Sequence, residues 1–204
     1  MPLVAHLPNH PLRAGLRLLW LTGLAVGLLI GGVGWRASAE EPDAEASSEA
    51  LEYQLKAGFL FNFAKFVHWP TNNLATNEFR IGVLGRSKAY PVLDAALAGK
   101  TIENRIVKVM QVRNTNEAVN CQMLFVPRAA SEKSQKISQE VSLLPILTVG
   151  EETGFATRGG CINLVPRQQS IRFEINLKAC EKAGLKVSAK LASMATLVKT
   201  EEQP

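Results

Sequence analysis

The fold is decided by the stretch from Glu49 to Pro70, which reads EALEYQLKAGFLFNFAKFVHWP. Large apolar side chains recur at every fourth position, and this spacing predicts one amphipathic helix. The predicted buried stripe comprises Leu51, Leu55, Phe59, Phe63 and Val67. The predicted solvated side comprises Glu52, Gln54, Lys56 and Lys65. Ser47 or Ser48 is expected to cap the first turn, and Trp69-Pro70 to end the helix, because proline disfavours helical geometry in the residue before it.

Short apolar runs alternate with amphipathic segments after this helix. The apolar runs predict strands at residues 79–84, 102–112, 121–126 and 145–149, with a turn at Glu103-Asn104 inside the second. The amphipathic segments predict helices at residues 87–98 and 131–142, the second with Ile137 and Val141 facing inward. Strands that are apolar on both faces and alternate with helices are typical of a mainly parallel sheet covered on two sides.

The pattern changes near the C-terminus, where residues 161–165 and 171–176 predict two strands separated only by PRQQS. This connection is too short for a parallel crossover, so the pair should form an antiparallel hairpin. Helices are expected at residues 177–183 and 188–198, the last with Leu191, Met194, Ala195 and Val198 on one side. The predicted fold class is therefore α/β, a mainly parallel β-sheet flanked by helices on both faces, with a C-terminal β-hairpin and helix.

The first 39 residues have the pattern of an export signal. Arg13 and Arg17 precede an uncharged segment, 18–33, and Ala37-Ser38-Ala39 is a small-residue cleavage site. We expect cleavage after Ala39, a flexible acidic tail at 40–48, and one domain over 49–200. An uncleaved membrane anchor is the alternative, but glycines at 23, 27, 31, 32 and 34 weaken it as a spanning helix.

The composition excludes several function classes. Loss of three arginines with the leader lowers the net charge from +5 to +2, and no basic stripe indicates nucleic-acid binding. His68 is the only histidine after residue 39, which argues against a histidine-rich zinc site or a catalytic triad. Gly82-Val-Leu-Gly85 lacks the third glycine of a dinucleotide loop. We therefore expect no enzyme, no cofactor and no metal.

Two segments are candidates for binding. The loop EETGFATRGG, residues 151–160, follows a predicted parallel strand, and open α/β sheets bind ligands at that end. Phe155 and Arg158 are its candidate contact residues, unless Phe155 only plugs the core. On the polar face of the hairpin, Arg172, Glu174 and Asn176 are candidates for a docking face. The alternative is that Arg172 and Glu174 form an exposed cross-strand pair.

The first helix resembles the opening helix of the YfiR-like family, whose pattern is close to Y-x-x-K-A-x-F-x-x-x-F-x-x-F-x-x-W-P. The matching residues are Tyr53, Lys56, Ala57, Phe59, Phe63, Phe66, Trp69 and Pro70. Later segments, including AGKTIENRIVKV, ILTVGEETGFATRGGCINLV and IRFEINLKACEKAGLKVSAKL, are similar to the family in the same order. The resemblance covers nearly everything after the leader.

The resemblance implies a periplasmic regulator that binds the periplasmic sensor domain of an inner-membrane diguanylate cyclase and represses it. Lower cyclic-di-GMP would then control biofilm formation and motility. It also implies a homodimer and a role in which a small-molecule ligand, redox change or envelope stress releases the partner. The alternatives are a periplasmic small-molecule-binding module, with residues 151–160 as its mouth, or a partner of a sensor histidine kinase.

The family resemblance also bears on the three cysteines. Members often carry a cysteine in the first strand that pairs with the one matching Cys121, but Gly82 occupies that position here. We therefore expect Cys121 to be a buried thiol. An oxidising compartment permits a disulfide between Cys161 and Cys180, although Cys180 lies several residues past the expected cross-strand position.

Overall fold

The computed structural model describes residues 44–70, 77–128, 132–167 and 170–200. The predicted leader and the predicted tail up to residue 43 lie outside these residues. Within the described ranges, no helix combines the length and the apolar character needed to cross a membrane.

The described chain alternates helices and strands. The helices are α1 (Ala44–Phe66), α2 (Ala89–Leu97), α3 (Thr115–Ala118), α4 (Glu132–Glu140), α5 (Leu177–Lys182) and α6 (Ala189–Ser193). The first strands are β1 (Val67–His68), β2 (Glu78–Leu84), β3 (Thr101–Ile102), β4 (Arg105–Val112) and β5 (Met123–Val126). The remaining strands are β6 (Leu147–Gly150), β7 (Ile162–Arg167), β8 (Ser170–Ile175), β9 (Lys186–Val187) and β10 (Thr196–Leu197).

Eight of these strands form one sheet in the order β10-β8-β7-β6-β5-β2-β4-β3. Neighbours are parallel except at β3–β4 and at the β7–β8 hairpin, where Ile162 lies opposite Ile175. The β3–β4 turn has Glu103 and Asn104 at φ values of 49° and 63°, a conformation that asparagine tolerates well. Because β2, β4, β5, β6 and β7 run in one direction, their carboxyl ends meet at one edge, which we call the carboxyl edge.

Each face of the sheet carries its own core. On one face β2 and β5–β8 pack against residues of α1, α2, α5 and α6, with Phe63, Phe79 and Phe125 almost fully buried. On the other face Leu84, Val112 and Leu124 pack against α3 and α4, and both Ile137 and Val141 face inward. The predicted α/β class, with a mainly parallel sheet and helices on both sides, is confirmed.

The predicted stripe on α1 is wrong at its N-terminal end. Leu51 and Leu55 are 61% and 60% exposed, whereas Lys56, expected in solvent, is 2% exposed. An α-helix has 3.6 residues per turn, so a strict four-residue repeat rotates by about 40° at each step. The residues that point to the core mix steps of three and four, and they are Tyr53, Lys56, Ala57, Leu60, Phe63, Ala64 and Val67.

Both ends of α1 also differ from the prediction. The helix begins at Ala44, so Ser47 and Ser48 lie inside it and do not cap it. It ends at Phe66, because Val67 and His68 leave the helix as β1 and pair antiparallel with β9.

The last predicted helix is shorter than expected. Ser188 caps α6 through a hydrogen bond from Leu191 N, and the helix ends at Ser193. The chain then turns, and β10 adds to the sheet edge parallel to β8. Met194 is consequently 62% exposed, so the prediction that it packs on the apolar side of the last helix is wrong.

Candidate functional site

The loop after β6 folds into a compact turn around Phe155. A Cβ atom at Gly150 or Gly160 would lie 2.3 Å or 2.1 Å from the Phe155 ring, so both positions require glycine. Phe155 itself is half-buried and packs against the core under α4. Its remaining surface lines a small cavity of about 100 Å³ between the turn and α4, together with Gln135 and Ser138. Phe155 therefore mainly anchors the turn.

Arg158 lies on the outer side of the same turn and is exposed. Its Nη1 donates a hydrogen bond of 2.7 Å to Thr153 O, and its Nη2 lies 3.3 Å from Glu152 Oε2. The guanidinium thus braces the turn while it stays accessible from solvent.

A buried ion pair joins α1 to the carboxyl edge. Glu151, directly after β6, is 3% exposed and pairs with the ammonium of Lys56. The same ammonium lies 2.7 Å from Glu52 Oε1, while Glu151 Oε1 accepts a hydrogen bond of 2.7 Å from Arg128 N. Isolated charges are too costly to bury, so these partners hold each other in place. Nothing in the sequence indicated Glu151, and the helical spacing placed Lys56 on the solvated side, although Lys56 is one of the residues that match the family pattern.

Tyr53 completes this contact. The Lys56 Nζ lies 4.6 Å from the centroid of the Tyr53 ring, a cation–π distance. Burial, followed by the negative charge of Glu151, raises the pKa of Tyr53 from 10.0 to about 12. One turn earlier, Glu49 Oε2 lies 2.9 Å from Lys88 Nζ, in the segment after β2. The N-terminal half of α1 therefore lies across the carboxyl ends of β2 and β6.

The three predicted residues of the docking face differ in exposure: Arg172 is exposed, Glu174 is half-buried and Asn176 is buried. Arg172 is exposed and lies opposite Val165. Glu174 lies opposite Asn163 and accepts a hydrogen bond of 3.1 Å from Asn163 Nδ2. The alternative of an Arg172–Glu174 cross-strand pair is wrong, because both residues lie on β8.

Asn176 is not part of any surface. It is fully buried, and its Oδ1 caps α5 by accepting a hydrogen bond of 3.0 Å from Ala179 N. Its Nδ2 donates to Ala156 O at 2.8 Å and to Thr200 Oγ1 at 2.9 Å. The predicted binding role is therefore corrected to a structural one: Asn176 ties α5, the turn after β6 and the C-terminal segment together.

A polar groove of about 460 Å³ lies between this turn and the hairpin. Its lining includes Arg128, Asn163, Arg167 and Glu174. Asn163 is 1% exposed, and its Oδ1 has no hydrogen-bond partner in the described structure. An unsatisfied buried acceptor costs about 1–3 kcal/mol of folding free energy, so Asn163 Oδ1 destabilises the fold at this position. The sequence offered no signal for the groove, since its residues come from four separate stretches of the chain.

The chain matches one known protein family over most of its length. The model of the YfiR/HmsC-like family matches residues 53–196, from Tyr53 in the buried contact to the start of β10. The chain belongs to the YfiR/HmsC-like family. YfiR/HmsC-like proteins are periplasmic regulators in cyclic-di-GMP signalling, and the family is regulatory rather than catalytic.

Two further comparisons add little. No curated protein matches the chain significantly. Among solved structures, the chain is similar to the ABC domain in complex with L-Trp from Streptococcus pneumonia, at 14% identity and a TM-score of 0.44. That similarity covers 72% of this chain and 60% of the other, so the chain spans less than two thirds of that structure.

Cys121 lies beside Gly82 of β2. A Cβ atom at Gly82 would lie 2.9 Å from Cys121 Sγ, so the residue at position 82 does face Cys121. Cys121 is a buried thiol, as predicted, and burial raises its pKa to about 11.

Cys161 and Cys180 are also buried thiols and are unbonded in this structure. They are neighbours, and their mutual hydrogen bond, together with burial, raises the pKa of Cys180 far above its usual range. A disulfide between them stays a prediction for the oxidised protein. Among the described residues, no group of three His, Cys, Asp or Glu side chains is placed to hold a metal ion.

Proposed function

We propose that this chain is a periplasmic repressor of a membrane-bound diguanylate cyclase. In this proposal the leader directs export and is removed after Ala39, and the folded domain then binds the periplasmic sensor domain of the cyclase. Binding holds the cyclase inactive and lowers cyclic-di-GMP, which controls biofilm formation and motility. The family match over residues 53–196 is the observation that carries this proposal.

Repression of this kind is a population shift. The regulator must bind the inactive cyclase more tightly than the active one, since equal affinity for both would shift nothing. The structure suggests a contact surface in the open side of the hairpin and the adjoining turn, where Arg172 and Arg158 are exposed. Both are positively charged, so the complementary surface on the partner would be acidic.

A homodimer is the second part of the proposal. The solvent side of α1 exposes Leu51 and Leu55, which are 61% and 60% accessible and lie one turn apart. Beside them, an apolar depression between α1 and α2 is lined by Gln54, Pro91, Val92, Ala95 and Ala96. A second copy that packs its own α1 here would bury both leucines through a symmetric interface.

The decisive experiment measures cyclic-di-GMP in a strain that lacks this chain. We expect the level to rise and to return when the full-length chain is restored. A chain with Arg172→Glu should be as abundant and as stable as the wild type yet fail to restore repression. Arg86→Glu, an exposed arginine in the segment after β2, is the matched control and should restore it. An unchanged cyclic-di-GMP level in the deletion strain would refute the proposal.

A further inference from the structure

The C-terminal half of α1 carries lysines and aromatic rings on its outer side. Lys65 Nζ lies 5.1 Å from the centroid of the Phe61 ring, and Lys100 Nζ, after α2, lies 5.4 Å from the same centroid. Further along the helix, Lys190 Nζ of α6 lies 5.3 Å from the centroid of the Phe66 ring. All three lysines are exposed and both rings are half-buried. We call these five residues the basic patch.

No carboxylate pairs with the basic patch within the described residues. The ion pairs found there are made by other lysines and by arginines, and none involves a lysine of the patch. The three stretches of chain that build the patch contain no Asp or Glu, and they are residues 53–70, 95–102 and 182–200. The positive charge of the patch is therefore not cancelled from within.

The acidic residues that flank these stretches do not cancel it either. Glu103 pairs with Arg105. Glu52 lies nine residues before Phe61, about 14 Å along the helix axis, which exceeds the screening length of about 8 Å at physiological salt. The other two flanking acids, Asp94 and Glu181, are balanced by the exposed Lys182 and Lys186. The patch thus keeps a net positive charge from its three lysines.

The position of the patch favours a broad surface as its partner. The inner side of this half of α1 is in the core, with Phe63, Ala64 and Val67 almost fully buried, so the patch occupies the convex outer side. A flat surface with many anionic groups can meet all three lysines at once, whereas a small anion reaches one or two of them. Leu51 and Leu55, the proposed dimer contacts, lie in the other half of the helix and stay available.

An exposed apolar side chain lies beside the charges. Met194 follows Lys190 by four residues in helical geometry, so both side chains lie on the same side, and Met194 is 62% exposed. The half-buried rings of Phe61 and Phe66 add apolar surface under the lysine ammoniums. Lysines combined with aromatic and aliphatic side chains are typical of surfaces that lie in the interface of a bilayer.

We propose that the basic patch holds the folded domain against an anionic phospholipid bilayer, with the lysine ammoniums at the headgroup phosphates and Met194 in the interface. Such a bilayer supplies negative charge and apolar surface together over a flat area, which an acidic protein surface does not. Arg172 alternates along β8 with Phe173, which belongs to the core on the α1 side, so Arg172 points away from the membrane in this orientation.

Vesicle co-sedimentation tests the proposal with residues 40–204, which form a compact unit of their own. We expect binding to vesicles of phosphatidylglycerol and phosphatidylcholine, and at least about tenfold weaker binding to pure phosphatidylcholine, because each lysine contributes about fivefold near an anionic surface. Raising the salt concentration should weaken the binding, since the attraction is screened.

Substitutions locate the contact. Lys65→Gln, Lys100→Gln and Lys190→Gln together should weaken binding to the anionic vesicles by about a hundredfold, the product of three fivefold losses. The matched control removes the same charge from exposed lysines on the opposite face of the sheet, with Lys108→Gln, Lys133→Gln and Lys136→Gln. It should weaken binding by less than about threefold, because these lysines lie beyond the screening length from the bilayer.

Methyl NMR in anionic nanodiscs that contain a spin-labelled lipid determines the orientation. The Met194 signal should broaden, whereas that of Met110, half-buried on the opposite face of the sheet, should not. This measurement uses the unsubstituted protein, so it tests the proposal even where a lysine variant folds poorly.

Three results would overturn the inference: equal binding to both kinds of vesicle, equal losses in the patch and control variants, or a Met194 signal that does not broaden. Binding of poly-L-glutamate in place of the vesicles would also overturn it and would make an acidic protein the occupant. The inference does not depend on the cyclase proposal, since sedimentation measures lipid binding alone and cyclic-di-GMP measures repression alone.

Discussion

At the residue scale, the most unusual feature is the buried ion pair between Lys56 of α1 and Glu151 after β6. A lysine that is 2% exposed is rare, and it is tolerated here because two carboxylates and an aromatic ring surround its ammonium. Such a pair adds little stability compared with apolar residues of the same size, but it becomes costly once one partner is removed. It also specifies position, since only one placement of α1 satisfies both charges.

We expect Lys56→Met to lower the free energy of unfolding by about 3–5 kcal/mol, because it leaves the Glu151 carboxylate buried without its cation. Urea denaturation measures the loss. The double variant Lys56→Met, Glu151→Leu should regain much of it, while Lys65→Met, on the exposed side of the same helix, should change stability by less than about 0.5 kcal/mol. A Lys56→Met protein as stable as the wild type would show that the pair is not buried.

Tyr53 makes stability depend on alkaline pH. Its pKa is about 12 in the folded protein and 10.0 in a free side chain, so the unfolded chain loses this proton first as the pH rises. The folded state then binds more protons, and the free energy of unfolding falls as the pH rises above about 10. Between about pH 9 and pH 11 this costs about 1 kcal/mol.

Tyr53→Phe is the matched control for that dependence, since it removes the titrating hydroxyl and keeps the ring. The unfolding free energy of the wild type minus that of Tyr53→Phe should decrease by about the same amount from about pH 9 to pH 11, because only the wild type has the titrating hydroxyl. A difference that stays constant would mean that the Tyr53 hydroxyl titrates normally.

At the element scale, α1 shows how a helix can have two apolar sides. One side carries Phe63, whose ring contacts Phe173 of β8 edge-on at 5.1 Å between centroids. The other side carries the exposed Leu51 and Leu55. Hydrophobicity alone assigns Leu51, Leu55 and Phe63 to the core. The helical period of about 3.6 residues places Phe63 on a different side of the helix from Leu51 and Leu55.

Phe63→Ala should therefore destabilise the protein by about 3–5 kcal/mol, because it leaves a cavity at a position that is 1% exposed. Leu55→Ala removes a side chain that is 60% exposed and should cost less than about 0.5 kcal/mol. Chemical denaturation of both variants compares the two sides of one helix. Equal losses would contradict the observed orientation of α1.

The turn after β6 permits a second comparison between matched substitutions. Gly160→Ala should destabilise the fold by about 1–3 kcal/mol, since the new methyl group would overlap the Phe155 ring at 2.1 Å. Gly58→Ala, exposed within α1 with no atom within 4 Å of the new Cβ, should stabilise it by about 0.5–1 kcal/mol. Thermal unfolding should thus show shifts of opposite sign, and a tolerated Gly160→Ala would show that Phe155 does not anchor the turn.

At the scale of the whole molecule, α1 determines which parts of the carboxyl edge remain open. The connections from β2 and β4 lead to strands on opposite sides of β2, so the edge beside β2 is the switch point where open α/β sheets bind ligands. Here Glu49 and Lys56 of α1 contact Lys88 and Glu151 at that edge. The remaining access is on the far side of β6, where the polar groove lies.

The proposed dimer is also tested at this scale. Leu51→Glu with Leu55→Glu should convert a homodimer into a monomer in light scattering, because two charges would be buried at the symmetric interface. The melting temperature of the separated subunit should hardly change, since both positions are exposed in it. A dimer that survives the double substitution would place the interface elsewhere.

The amino-acid sequence by itself determined the α/β class, the parallel strands, the C-terminal hairpin and the family, because each rests on local periodicity or on motifs that are contiguous in the chain. Only the tertiary structure decided that Lys56 is buried, that Asn176 is internal and that Arg128, Asn163 and Arg167 share a groove. These facts depend on contacts between residues far apart in the chain: Lys56 meets Glu151, and Asn176 meets Ala156 and Thr200. A repeat pattern describes which side of an element is apolar, whereas the partner on that side is specified only when the sheet order brings distant segments together.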